Sequence, residues 1–127
     1  MKNDKLSAKD WLEKAEEDIK VAEHLFKTSQ FYTDVGFHCQ QAAEKSLKAY
    51  LVYNREVPRK IHSLKDLLLD CLKYDTSLNE INPHLKILEG LYISTRYPFV
   101  INVSKEEAEE FLKSAKEVIS RIKEKIK

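Results

Sequence analysis

The chain has 127 residues, with 22 lysines and arginines against 21 aspartates and glutamates, a formal net charge of +1. That length suits one domain with its own core, taken here as residues 1–127. Near-balance in a chain that is 34% charged fits solvated helix faces of interleaved sign, and the bulk charge says nothing about a nucleic-acid partner.

Apolar residues recur at steps of three and four almost throughout. Ser7 reads as the N-cap of a first helix, whose buried face is Ala8, Trp11, Leu12, Ala15, Ile19, Ala22, Leu25 and Phe26. Trp11 is assigned to the core. A second helix runs from about Thr33 to Tyr53, with Val35, Cys39, Ala42, Ser46, Ala49 and Tyr53 on one face, and Ala43, Leu47 and Tyr50 widening the arc. An arc this wide predicts a central helix with several neighbours.

Asn54 to Ile61 reads as a loop, since Pro58 blocks helix continuation. Six basic residues against two acidic ones between Glu44 and Lys65 give this end a local positive excess. Ser63 caps a short helix through Leu64, Leu67, Leu68, Cys71 and Leu72, with Asp66 at the capping-box position. Asn82-Pro83 reads as the N-cap and first residue of a fourth helix, carrying Leu85, Leu88, Leu91, Tyr92 and Thr95 and ended by Pro98. Ser104 to Glu107 forms another capping box and opens the last helix, faced by Ala108, Phe111, Leu112, Ala115, Val118, Ile119, Ile122 and Ile126. No segment alternates with period two for long. The expected fold is all-α, a single-domain antiparallel bundle of about five helices.

Much familiar chemistry is excluded. Gly36 and Gly90 are the only glycines, so no phosphate-cradling loop or dinucleotide fingerprint can form. His-Glu-x-x-His, EF-hand and Gly-x-Ser-x-Gly patterns are missing. The four histidines, at 24, 38, 62 and 84, lack the spacing of a local metal cluster, so no metal and no cofactor are expected. Cys39 and Cys71 read as small buried hydrophobes rather than a disulfide framework. The chain begins without an apolar leader and has no run near the roughly 18 apolar residues of a membrane span. A soluble, cytoplasmic protein without membrane contact is expected.

The second helix holds a polar strip of His38, Gln41, Lys45 and Lys48 beside its apolar arc. Gln41, Lys45 and Lys48 share one side of the helix and can offer donors to a phosphate or an acidic partner. The same spacing also fits an ordinary Glu44–Lys48 salt bridge, with Lys45 lying over its own stem. His62 precedes a helix start, where anions are favoured, or is a loop histidine that fixes the turn. Arg96 near a helix C-terminus satisfies carbonyls or offers a bidentate guanidinium. Tyr92 fits core packing, and His38 a hydrogen bond at the core edge.

Four pieces together resemble the HEPN domain family: the first helix around Trp11 to Ala22, Gln40-Gln41-Ala42-Ala43-Glu44-Lys45-Ser46-Leu47-Lys48-Ala49, His62-Ser63-Leu64, and Tyr92 to Pro98 with its Arg96-Tyr97-Pro98 ending. The resemblance implies a helical bundle that commonly forms a homodimer. It also implies a partnership with a separately encoded minimal nucleotidyltransferase, in pairs that resemble toxin–antitoxin modules. On that reading Gln41, Lys45, Lys48, His62, Arg96 and Tyr97 bind a nucleotide or another anionic ligand, and no residue is catalytic. One branch of the family are metal-independent ribonucleases with an arginine, then four to six residues, then a histidine. No histidine follows Arg96 at that spacing, and Arg55 with His62 matches only in the loop after the second helix. An RNA-cleaving toxin using His62 and Arg96 is the alternative, and a purely structural dimerisation module a third reading.

Overall fold

The computed structural model describes residues 6–96 and 102–127, with the side chains of residues 91–96 excepted. Five α-helices follow in order: α1 (Ala8–Thr28), α2 (Tyr32–Tyr53), α3 (Leu64–Leu72), α4 (Asn82–Arg96) and α5 (Lys105–Lys125). A 3-10 turn, Thr76–Ile81, leads into α4. No strand occurs among the described residues, and the fold is the all-α bundle that the periodicity predicts.

Helix α2 is the hub, packed against α1, α3, α4 and α5. Its sequence explains the position, because Val35, Cys39, Ala42, Ala43, Leu47, Ala49 and Leu51 are all fully buried. Small residues at Ala42, Ala43, Ser46 and Ala49 let neighbouring helices approach, while Leu47 and Leu51 fill the spaces between them. Leu64 and Leu67 from α3, Leu85 and Leu88 from α4, and Val118 and Ile122 from α5 complete one continuous core. Each such leucine contributes about 1.5–3 kcal/mol relative to exposure.

The helix ends follow local chemistry. Ser7 and Asp10 form a reciprocal capping box at α1, at 3.0 and 3.1 Å, and Ser104 and Glu107 form another at α5. Ser63 Oγ accepts from the Asp66 N–H at 3.2 Å, and the return bond from Asp66 is absent, so α3 has half of the expected box. Asn82 is not an N-cap. Its φ of −54° and ψ of −43° are already helical, because the 3-10 turn winds the chain before α4 begins. The cap belongs instead to Asp75, whose carboxylate accepts from the Ser77 N–H at 2.9 Å.

The end of α2 is unusual. Arg55 has φ 65°, in the left-handed region that favours glycine. Its N–H donates to the Val52 carbonyl, and the Glu56 N–H donates to that of Leu51, both at 2.9 Å. These two bonds define a Schellman terminus, whose left-handed position is most often glycine. An arginine there costs about 1 kcal/mol of backbone strain.

Candidate functional site

The polar strip of α2 is organised by two buried carboxylates. Asp18 of α1 is 8% exposed and receives a contact on each oxygen. Lys45 Nζ donates to Oδ2 at 2.7 Å, and His38 Nδ1 lies 2.9 Å from Oδ1. Lys45 is therefore tied to α1 rather than resting over its own stem, while His38 makes the core-edge hydrogen bond expected of it.

The second carboxylate is Glu44, 4% exposed. One helical turn on, Lys48 Nζ donates to Oε2 at 3.0 Å, the salt bridge that the spacing allows. His62 Nδ1 lies 3.1 Å from the same oxygen and 3.2 Å from Oε1. Carboxylate oxygens already receiving an ammonium act as acceptors, so Nδ1 carries the proton in this contact. The ring itself is 61% exposed at its side chain, which leaves an anchored imidazole at the surface. Gln40 Nε2 donates to the His62 carbonyl at 3.5 Å, and Gln41 Nε2 donates to Gln40 Oε1 at 2.9 Å.

The structure thus gathers Gln41, Lys48 and His62 around Glu44 and Gln40, and places Lys45 on the neighbouring carboxylate. The Arg96 side chain and Tyr97 lie outside the described residues. The His62 segment is also held from α4, because Glu89 Oε1 accepts from the Leu64 N–H at 2.9 Å.

Beside this network lies an open cleft of about 480 Å³ between the start of α1, the end of α2 and the following loop. Trp11 and Lys48 line it with Val52, Arg55, Val57 and Lys60. Trp11 is half-buried and stands in the cleft wall, outside the core cluster, which corrects its assignment to the core; Lys48 Nζ stands 5.6 Å from the ring centre, within cation–π range. The loop is pinned at two points. Arg59 makes a two-pronged contact with Asp70, at 2.9 and 3.2 Å, and Glu56 pairs with Lys73 at 3.1 Å. The Asp70 hydrogen bond raises the Arg59 pKa further, so that guanidinium is a fixed cation.

Sequence reasoning missed Asp18, Glu89 and the cleft, and met Arg55 only as a basic loop residue and a spacing match to His62. Asp18 had a signal, since it falls three residues after Ala15 and four before Ala22 on the apolar face of α1. Among the described residues, no group of three or more histidines, cysteines and acids gathers as metal ligands. No described helix is long and apolar enough to cross a membrane.

The described residues thus form an all-α bundle around one central helix, with a histidine anchored to a buried glutamate of that helix. The HEPN domain family model matches residues 8–126, and the chain belongs to the HEPN family. It is 33% identical, over an alignment of 136 positions, to the protein named "Putative toxin MJ1304" of Methanocaldococcus jannaschii, covering 94% of this chain and 88% of that one. The fold is similar to the crystal structure of TT1696 from Thermus thermophilus, with a TM-score of 0.82 and 32% identity over 93% of this chain and 97% of the other. It is also similar to ST0689, described as an archaeal HEPN homologue, with a TM-score of 0.77 and 25% identity, covering 97% and 100% of the two chains.

Proposed function

We propose that this chain is a toxin-type HEPN protein that binds a nucleotide or similar anion, as the accessory subunit of a separately encoded minimal nucleotidyltransferase. In this reading it is a cytoplasmic homodimer. The observation that carries the binding role is the convergence of Lys48 and His62 on Glu44. Glu44 neutralises Lys48, and the contact fixes the exposed His62 ring beside the cleft cations at the positive end of the chain, which favours recognition of a negatively charged group. The relative named as a toxin supports the toxin-type part of the reading. The test is stoichiometric capture: the tagged chain, expressed in its native host, brings down a small nucleotidyltransferase. Purification of the chain without one overturns the accessory role.

A second reading rests on a separate aspect of the same contact. An imidazole oriented through Nδ1 by a carboxylate is the arrangement a general base needs, which suits a metal-independent ribonuclease with Arg96 stabilising the phosphorane charge. RNA cleavage in the presence of chelator, lost in both His62→Ala and Arg96→Ala, replaces the accessory reading with this one.

A further inference from the structure

The cleft at the start of α1 has a different character from the α2 strip. On the strip, Lys45 and Lys48 are each neutralised by a buried carboxylate. In the cleft, Arg55 and Lys60 make no side-chain hydrogen bond or ion pair among the described residues, while Arg59 is occupied by Asp70. The wall between these cations is apolar and aromatic, built from Trp11, Val52 and Val57. Glu56, the acidic residue of the lining, is already engaged by Lys73 and by the Tyr74 hydroxyl. The cleft therefore combines a flat hydrophobic wall with two positive charges that no described residue neutralises.

Arg55 adds an independent observation. It stands at a left-handed position that the backbone would rather give to glycine, and it lines the cleft with its guanidinium unpaired among the described residues. Strain retained at a pocket is a recurrent mark of function. The loop that carries it is already pinned to α3 through Arg59 and Glu56, so little ordering is required when a ligand enters.

We propose that this cleft, rather than the α2 strip, is the binding site for a flat aromatic ring carrying an anionic group, the chemistry of a nucleoside monophosphate. The ring packs against Trp11, Val52 and Val57, and the phosphate meets Arg55 and Lys60. A base–aromatic contact and charge-assisted hydrogen bonds to phosphate are the two recognition elements. This site deepens the nucleotide-binding reading above, on which its biological meaning rests.

Trp11 is the chain's single tryptophan, so intrinsic fluorescence reports on the cleft directly. Titration with AMP is expected to change Trp11 emission saturably, with adenosine and inorganic phosphate each binding much more weakly. Arg55→Gly removes the guanidinium while suiting the backbone, so it keeps the fold, and it is expected to weaken AMP about tenfold, the loss of one charge-assisted hydrogen bond. Calorimetry on Trp11→Leu is expected to show a comparable loss. Phosphate binding as tightly as AMP overturns the aromatic half of the proposal. AMP binding that is lost in Lys45→Ala or His62→Ala but kept in Arg55→Gly moves the ligand to the α2 strip, leaving the accessory reading intact. An emission change that follows protein concentration instead of AMP indicates a second copy as the occupant and overturns the site. Absence of any AMP response also overturns it, whereas the accessory role stands or falls on capture of the nucleotidyltransferase.

Discussion

Asp18 and Lys45, 27 residues apart, meet at 2.7 Å across the α1–α2 interface. The aspartate is nearly enclosed, and His38 occupies its other oxygen. The contact couples the charge of one helix to the register of the other. Asp18→Ala leaves Lys45 and His38 facing a vacated, half-buried site, and is expected to destabilise the fold by about 1–3 kcal/mol. Urea denaturation measures this; an unchanged midpoint shows that the pair carries no net stability.

Glu44 and Lys48 are more deeply buried, at 4% and 8% exposure. Removing either charge strands the other, so Glu44→Gln alone is expected to cost about 3 kcal/mol. Pairing Glu44→Gln with Lys48→Met removes both charges and is expected to recover much of that loss. Denaturation of the two single variants and the double variant forms a closed cycle. Strictly additive losses count against a direct interaction between the two side chains.

These two pairs mark the boundary of what the sequence reveals. Glu44–Lys48 is legible because both partners lie on one helix at a spacing that brings side chains together. Asp18 finds its partners only when α1 folds back on α2, although its place among alanines was a clue. The five helices were legible because a 3.6-residue period persists over many turns. The Thr76–Ile81 turn is too short to show any period, and Asn82-Pro83 carries the composition of a helix start at a place where the chain is already wound. The cleft was hidden for a different reason, because its lining comes from three segments and its key cation, Arg55, occupies a backbone conformation that composition does not advertise.

Acid sensitivity has a defined source where the end of α5 meets the 3-10 turn. Asp75 is held down to about 2, from an ordinary 3.8, by the hydrogen bond from Lys125 and then those from Ser77. A carboxylate with a lowered folded-state pKa contributes stability that is complete above its unfolded value and disappears as pH falls through the folded one. The contribution is therefore lost between about pH 4 and about pH 2. Asp75→Asn is expected to flatten the dependence of Tm on pH in this window, and an identical pH profile for parent and variant rules out this source.

Burial pushes the thiols of Cys39 and Cys71 up to about 12. The thiolate is the reactive form, so neither cysteine is expected to react with a thiol-specific reagent at neutral pH until the chain unfolds. Full labelling of both in denaturant and negligible labelling of the native protein is the expected pattern. Rapid native labelling of either residue means that the helices around it open readily.

Helix α3 spans nine residues, too few to persist by itself in water. Its first turn borrows a bond from Glu89, 25 residues later in the chain. The start of α3 is thus held from two sides, by Glu89 of α4 at Leu64 and by Glu44 and Gln40 of α2 at His62. A change at Glu89, which touches no residue of the α2 network directly, would therefore loosen the helix that follows His62 and reach the network through the backbone alone.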